Sequence, residues 1–287
     1  MAALIEIHEK HWSEFLHDNQ QRSLYDSWWR PGTVNYWRHT RLLAPVLEVL
    51  QGLREHSWLT IGDGAGTDAW RLGQAGFKTV LATDLDDTVL KQTQASGYIE
   101  RYQIENAEKL SFSDNSFDFV LCKEALHHMS RPYLAIYEFF RVARYGVVVI
   151  EPQDPWIDWP CRTDPTAPHY EAVGNYVYQY SIRELEKIAF GLNITGLATR
   201  HLVDVYLPGC EFAYCVEDDP VWVETRDKVE LSTQAMQNGT IKPNYVQGIF
   251  FKNSVTAEVF HLLAQQNSDW HFLRTDINPY LSGQAAG

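Results

Sequence analysis

Short apolar runs alternate along the chain with longer stretches in which apolar residues recur at helical spacing. The runs are typical of strands covered on both faces of a parallel sheet, and the helical spacing is typical of amphipathic helices. The runs predict strands over 58–61, 79–83, 117–122, 146–150, 194–206 and 245–251. The spacing predicts helices over 5–15, 40–53, 133–143, 181–190, 221–236 and 255–265. This alternation predicts an α/β fold.

Two local patterns indicate where helices begin and end. Ser181 followed by Glu184 is the capping-box pattern, and it predicts the start of the helix over 181–190. Gly146 is interpreted as a glycine stop for the helix over 133–143, with the next strand beginning there.

The order of the elements divides the chain into four parts. Residues 1–54 are predicted to form N-terminal helices or a lid, and 55–206 the sheet-bearing core. Residues 207–244 are an insertion that we interpret as a cap or a dimerisation element, and 245–287 add the last strand and a C-terminal helix. Within the core, 152–180 form a long aromatic-rich loop, which is typical of a functional segment.

Composition narrows the class of protein. The 287 residues suit one large domain or a core with an attached lobe, and 45% apolar residues suffice for a sizeable core. A formal net charge of -13 argues against a nucleic-acid partner. The sequence predicts neither a signal peptide nor a membrane span, and the four cysteines form no C-x-x-C pair. We therefore expect a cytoplasmic protein with reduced thiols and no metal site.

Three glycines follow the first predicted strand, at positions 62, 64 and 66. A turn of this kind between strand and helix lets the backbone approach a ligand closely, because no side chain intervenes. A dinucleotide fingerprint would place its third glycine at position 67, which is Thr67. The spacing is therefore G-x-G-x-G, which disfavours a nicotinamide oxidoreductase.

An acidic residue, Asp84, ends the second predicted strand, 18 residues after Gly66 (84 − 66). A carboxylate at this position can accept hydrogen bonds from both hydroxyls of a ribose that lies across the strand ends. The alternative is that an acid here caps the following helix, a role that we assign to Asp86 or Asp87.

Three further motifs follow in a fixed order. Residues 106–108 read Asn-Ala-Glu, 114–118 read Asp-Asn-Ser-Phe-Asp, and 125–128 read Ala-Leu-His-His. With the glycine triplet and Asp84, they resemble the class I S-adenosylmethionine-dependent methyltransferases, in particular the type 11-like subgroup that acts on small molecules. The resemblance covers roughly residues 55–200.

The resemblance implies a Rossmann-like, doubly wound, seven-stranded sheet that is mostly parallel with an antiparallel last strand, with helical and loop insertions forming a cap. It implies S-adenosylmethionine as cofactor and S-adenosylhomocysteine as product. An Asn106 side chain and the Ala107 amide could bond an adenine edge. The cofactor-binding residues it implies are Gly62, Asp63, Gly64, Ala65, Gly66, Asp84, Leu85, Asn106, Ala107, Glu108, Cys122 and Lys123.

One position departs from the family pattern. The family usually has an acid two residues before the first glycine, where this chain has Thr60. Our hypothesis is that Asp63 takes over part of the hydrogen bonding of the glycine loop or reaches the ammonium group of the cofactor.

A neutral hydroxyl acceptor would need a general base, whereas an amine would need only to be deprotonated. The sequence identifies no base uniquely, and the candidates are His128, Glu124, Glu151 and His169. His127 is interpreted as structural, and Lys123 as pairing with Glu124 or meeting an anionic acceptor.

Acceptor recognition is assigned to the aromatic segments outside the motifs. Residues 24–38 are expected to pack on the sheet or to close over the site as a lid. Residues 152–180 would line the acceptor pocket or pack as a surface loop. The candidate substrate-binding residues are Tyr25, Trp29, Arg30, Trp37, Trp156, His169 and Tyr176.

Together these patterns predict an enzyme that methylates a small molecule, with a hydroxyl of a metabolite or sugar-containing product favoured. The alternatives are an N-methyltransferase acting on a small amine and a non-catalytic protein that binds S-adenosylmethionine. The expected partners are a small-molecule acceptor and, for the insertion, a second copy in a homodimer, with no nucleic acid or membrane.

Overall fold

The computed structural model of the chain describes residues 26–154, 176–252 and 254–274. The predicted helix over 5–15, most of the 152–180 loop, and the candidates Tyr25, Trp156 and His169 lie outside these ranges.

One sheet runs through the described part of the chain. Its strands are β1 (Ser57–Ile61), β2 (Thr79–Asp84), β3 (Tyr102–Ile104), β4 (Phe117–Lys123), β5 (Ala143–Pro152), β6 (Gly196–Leu202), β7 (Tyr245–Phe251) and β8 (His271–Arg274). The strand order is β3-β2-β1-β4-β5-β7-β6-β8. The first five strands pair in parallel, and β7 runs antiparallel to both β5 and β6. The predicted antiparallel strand is therefore confirmed.

The expected count of seven strands was wrong. An eighth strand, β8, pairs antiparallel with β6 through Leu197 and Leu273 and extends that edge of the sheet. Its side chains are partly or fully exposed, so it lacks the continuous apolar run of a strand buried on both faces.

The helices are α1 (Val34–Val49), α2 (Thr67–Gln74), α3 (Thr88–Ala95), α4 (Pro132–Val142), α5 (Ile182–Gly191), α6 (Pro220–Gln237) and α7 (Ala257–Gln266). Short 3₁₀ helices span Gln51–Leu53 and Leu126–His128. The predicted capping box is confirmed, since Ser181 accepts from the Glu184 amide and Glu184 accepts from the Ser181 amide.

Gly146 lies inside β5 and is not the stop of α4, so that interpretation was wrong. The helix ends at Val142, and Ala143 already has extended backbone. A Cβ at position 146 would lie 2.5 Å from the carbonyl oxygen of Phe250 on β7. The glycine is therefore required by close strand packing.

Side chains alternate between the two faces of the sheet, and each face has its own core. Leu59, Val120 and Val147 belong to a cluster that includes residues of α4 and α5. Trp58 and Phe119 belong to the opposite cluster, which includes residues of α1, α2 and α7. Helices thus cover both faces, as the prediction of a doubly wound sheet requires.

The 207–244 insertion is hydrogen-bonded to the start of α1. The Val34 amide donates to Ala213 at 3.0 Å, and the Cys215 amide donates to the Gly32 carbonyl at 2.8 Å. Val34, Cys210 and Ala213 form a small buried cluster at this junction. The insertion therefore packs on the start of α1 of its own chain.

Within the described ranges, no helix combines the length and apolar character needed to cross a bilayer.

Candidate functional site

The strand order reverses between β1 and β4, which are neighbours although they lie far apart in the sequence. In open parallel sheets, ligands bind outside the carboxyl ends of the strands at such a switch point. Residues 62–66 follow β1 there, and Lys123 and Glu124 lie at the end of β4. This crevice is the candidate site.

The glycine loop needs glycine for its conformation. Gly62, Gly64 and Gly66 have φ angles of 63°, 54° and 78°, in the left-handed region that other residues adopt at a cost. A Cβ at Gly62 would also lie 2.5 Å from the Cβ of Ala125, in the turn after β4. The missing side chain therefore lets the two loops of the crevice touch.

Asp63 organises the start of α2. Its Oδ1 accepts from the Asp68 amide and its Oδ2 from the Ala69 amide, both at 2.9 Å, and Oδ2 also accepts from the Thr60 hydroxyl at 2.7 Å. Burial and the nearby Asp68 raise the pKa of Asp63 to about 7. The Asp63 carboxylate thus takes over part of the hydrogen bonding of the glycine loop, as the first form of our hypothesis predicts.

Asp84 lies beside the glycine loop at the end of β2. Its Oδ2 accepts from the Gly64 amide at 2.8 Å, and burial raises its pKa. A carboxylate offers about four acceptor positions, so this bond leaves capacity for a ligand hydroxyl. Asp86 accepts from the Thr88 amide at 2.8 Å, whereas Asp87 occupies the N-cap position of α3 and makes no capping bond through its side chain.

The Asn-Ala-Glu motif forms a tight turn after β3. Asn106 Oδ1 accepts from the Glu108 amide at 2.9 Å. The Glu108 carboxylate accepts from the amide and the Nε of Arg131, at 2.7 and 2.6 Å. The Glu108 carboxylate is therefore held by Arg131.

A buried ion cluster closes the other side of the crevice. Lys123 Nζ lies 3.4 Å from Asp68 Oδ1 and 3.0 Å from Glu124 Oε2, and the Lys123 side chain is 4% exposed. Burial alone would lower the pKa of Lys123, but Asp68 and Glu124 outweigh it and raise that pKa. The predicted pairing of Lys123 with Glu124 is confirmed.

Glu124 adopts a positive φ of 51°, which is uncommon for a residue other than glycine. Its Oε1 accepts from the Tyr245 hydroxyl at 2.6 Å, and its Oε2 lies 3.4 Å from His39 Nδ1. Burial alone would raise the pKa of Glu124, but Lys123, His39 and Tyr245 hold it well below its ordinary value. The strained backbone of Glu124 is therefore accompanied by three side-chain partners, Lys123, His39 and Tyr245.

His39 and Tyr245 were missed by the sequence reasoning. His39 lies on α1 and Tyr245 begins β7, so neither belongs to a local motif of the core. Burial lowers the pKa of the His39 imidazole despite the opposing effect of Glu124. Only the three-dimensional fold brings these two residues to the crevice.

Two of the other candidate bases have structural partners. Glu151 is fully buried, and its Oε1 accepts from the amides of Ala125 and Leu126 at 3.1 and 2.8 Å. Its Oε2 lies 2.6 Å from His127 Nδ1. The His128 ring lies 4.0 Å from that of His127. Glu151 therefore holds the turn after β4 and its carboxylate faces away from solvent.

Cys122 is fully buried within the core cluster shared with α4 and α5, so only its backbone could face a ligand. Ala65 is also fully buried, and its carbonyl accepts from the Thr93 hydroxyl at 2.9 Å. Leu85 lies partly exposed after β2.

The aromatic candidates near the N-terminus pack against other elements. The Trp29 ring lies 5.3 Å from that of Trp70 on α2, and the Trp37 ring lies 5.0 Å from that of Trp222 on α6. These contacts agree with the packing alternative for this segment. Arg30 is exposed, and the Tyr176 ring lies 5.1 Å from that of Tyr178.

Comparison with known proteins places this arrangement in a family. Residues 59–150 match the model of the methyltransferase domain family Methyltransf_11. This segment contains the glycine loop, the end of β2 and the turn after β4. Over these residues the chain is similar to a methyltransferase domain, in agreement with the resemblance seen in the sequence motifs.

The methyltransferase core is also similar to individual proteins. The uncharacterized methyltransferase YcgJ of Bacillus subtilis is 32% identical over 128 residues, which cover 40% of this chain and 49% of that protein. The match thus spans about half the length of this curated relative.

Solved structures resemble this chain at low identity. The phosphoethanolamine N-methyltransferase 2 of Haemonchus contortus, solved with S-adenosylmethionine, has a TM-score of 0.55 at 15% identity, covering 84% of this chain and 60% of that one. A methyltransferase structure from Thermotoga maritima has a TM-score of 0.49 at 17% identity, covering 80% and 94%.

Proposed function

We propose that this protein transfers the methyl group of S-adenosylmethionine to a hydroxyl of a small molecule. The observation that carries the proposal is the crevice in which the bare glycine loop meets Asp84 on one side and the turn after β4 on the other. Such a crevice suits a ligand with a ribose and a polar chain, because it offers backbone amides and a carboxylate at close range.

The residues present suit the adenosyl cofactor. We assign the ribose hydroxyls to Asp84, the adenine edge to Asn106 and Ala107, and the methionine portion to the loop over 62–66. When bound, S-adenosylmethionine supplies an activated methyl group, so the protein need only align the acceptor and exclude water.

A hydroxyl acceptor is favoured by the ionisable groups at the crevice. An amine needs no base if it is deprotonated, whereas a neutral hydroxyl must lose its proton during transfer. His39, Glu124 and Tyr245 lie together beside the end of β4, where such a proton could be received. The net charge of -13 further disfavours nucleic acid as the acceptor.

Methyl transfer from tritiated S-adenosylmethionine to matched probes tests the proposal. Catechol offers hydroxyls and benzylamine offers an amine on a comparable ring. We expect label in methylated catechol at a rate well above that in benzylamine. Labelling of benzylamine alone would favour an N-methyltransferase, and binding of the cofactor with no transfer to either probe would favour a non-catalytic role.

A further inference from the structure

We propose that His39 is the general base of the transfer reaction and that Glu124 is its positioning residue. This inference rests on the proposed function, because it names the residue that accepts the proton lost by a hydroxyl acceptor. The geometry is the pair that meets beside the end of β4: the His39 imidazole on α1 and the Glu124 carboxylate, with Nδ1 and Oε2 3.4 Å apart.

Glu124 is suited to orient a base rather than to act as one. Its Oε1 accepts from Tyr245 and its Oε2 from Lys123, at 2.6 and 3.0 Å, so both oxygens already have donors. A carboxylate stabilised in this way is a weak base. Its Oε2 also lies 3.4 Å from His39 Nδ1, so we assign the imidazole proton to Nδ1, beside the carboxylate, and the lone pair to Nε2.

The surroundings keep His39 neutral at the start of the reaction. Glu124, Lys123 and Arg71 are the charged groups that act on it, and the two cations oppose a charge on the imidazole. Burial acts in the same direction and lowers its pKa. A neutral imidazole beside a carboxylate is the arrangement that accepts a proton and then stabilises the imidazolium, as in other His–carboxylate pairs.

The proton and electron movements balance. The acceptor hydroxyl gives its proton to His39 Nε2 while its oxygen forms a bond to the methyl carbon. The bond between that carbon and sulfur breaks, and its electron pair remains on sulfur in the thioether product. The imidazolium left beside Glu124 then loses its proton to solvent, for which its side-chain exposure of 15% leaves a path.

The other histidines give a matched control. His201 on β6 is partly buried, and burial lowers its pKa as it does for His39. It pairs across the sheet with Val246, and β5 and β7 lie between its strand and β4. A His201→Gln variant therefore makes the same chemical change at a second histidine whose pKa is lowered by burial, on a strand that does not neighbour β4.

The first test needs no acceptor. Nitrogen-15 NMR of the imidazoles, in protein saturated with S-adenosylhomocysteine at neutral pH, should show His39 as the neutral tautomer with its proton on Nδ1. The His39→Gln spectrum assigns the signal. An imidazolium, or a proton on Nε2, would overturn the proposal whatever the enzyme methylates.

The second test uses catechol and para-nitrophenol, which differ in how much help their hydroxyl needs to ionise. His39→Gln should lower kcat for catechol about 10²–10⁴-fold and remove the acid limb of its pH profile, with KM little changed. The loss for ionised para-nitrophenol should be much smaller. Affinity for S-adenosylhomocysteine and the melting temperature report whether the variant is folded, and His201→Gln should keep kcat.

The outcomes separate the two proposals. Wild-type turnover of catechol that survives in His39→Gln with an unchanged pH profile would overturn the role of His39 and leave the proposed function intact. Wild-type protein that methylates neither phenol would overturn the hydroxyl assignment, and the tautomer measurement alone would then support or contradict the His39–Glu124 pair.

Discussion

The Thr60 hydroxyl donates to the Asp63 carboxylate, with 2.7 Å between Thr60 Oγ1 and Asp63 Oδ2. The usual acid of the family is absent at position 60, and the acid at 63 instead bonds both the strand and the first turn of α2. The two positions therefore act together: the threonine supplies a donor and the aspartate supplies the acceptor oxygens. This exchange preserves an acidic anchor beneath the glycine loop.

Asp63→Ala should lower the free energy of unfolding by about 1–3 kcal/mol, because the amides of Asp68 and Ala69 lose their buried acceptor. It should also weaken binding of S-adenosylmethionine, since the loop loses its anchor. Urea unfolding and calorimetry measure the two effects. Asp114→Ala, which removes a surface acid whose side chain is 72% exposed, is the control and should change stability little. Unchanged cofactor affinity in Asp63→Ala would count against the role of Asp63 in the site.

Gly62→Ala should destabilise the protein by about 2–4 kcal/mol, from positive-φ strain and from the clash with Ala125. Gly73→Ala is the matched control, because Gly73 lies within α2 and a Cβ added there would have nothing within 4 Å. That change should be neutral or stabilising by about 0.5–1 kcal/mol. Equal stability of the two variants in urea would show that the loop does not need its left-handed conformation.

Lys123→Met should destabilise the protein by about 3–5 kcal/mol at neutral pH, because the buried carboxylates of Asp68 and Glu124 lose their cation. Lys78→Met breaks an exposed pair with Glu55 and should cost about 0–1 kcal/mol. Urea unfolding of both variants, compared with wild type, measures the difference.

The cost of Lys123→Met should depend on pH in a defined direction. The pKa of Glu124 is lowered in the folded protein, so its contribution is complete above the ordinary value of 4.5 and is lost as pH falls through the folded value. The pKa of Lys123 is raised, so its contribution is complete below 10.5 and is lost as pH rises through the folded value. The difference between wild type and variant should be greatest between these limits and shrink in acid. A difference that stays constant from neutral to acid pH would contradict the ion cluster.

Glu151→Ala should lower the free energy of unfolding by about 2–4 kcal/mol, because the buried amides of Ala125 and Leu126 lose their acceptor. Glu151→Gln keeps an oxygen for these amides and should lose less. Thermal and urea unfolding measure both. If Glu151→Ala kept wild-type stability while turnover was abolished, Glu151 would be the base and its structural role would be wrong.

The parallel part of the fold could be predicted because its signals are local. The strand at 57–61, the glycines after it and the acid at position 84 follow one another within one strand-helix-strand unit. Burial on both faces forces long apolar runs in the central strands, and these are visible in the sequence. The short strand β8 and the role of Gly146 could not be predicted in this way. β8 lies at an exposed edge of the sheet. The glycine at 146 is required by close packing against β7, which lies about a hundred residues further along the chain.

The candidate site also contains residues that the sequence predicts and residues that it does not. Local motifs identify the loop over 62–66 and Asp84. No local motif identifies the base that we propose, His39. His39 lies on a helix outside the family's motifs, and its contact with Glu124 depends on how α1 packs against the sheet. Tyr245 reaches the same carboxylate from the strand that pairs antiparallel with β5. Long-range packing of this kind leaves no periodic pattern in the sequence.

Titration calorimetry of the purified protein with S-adenosylmethionine, S-adenosylhomocysteine and NADH tests the central claim most directly. If the crevice between β1 and β4 is an adenosyl site for a sulfur cofactor, the first two compounds should bind at one site per chain and NADH should release no binding heat. Asp84→Ala should weaken both sulfur compounds if their ribose is held there. Tight binding of NADH, with no heat from either sulfur compound, would contradict the account.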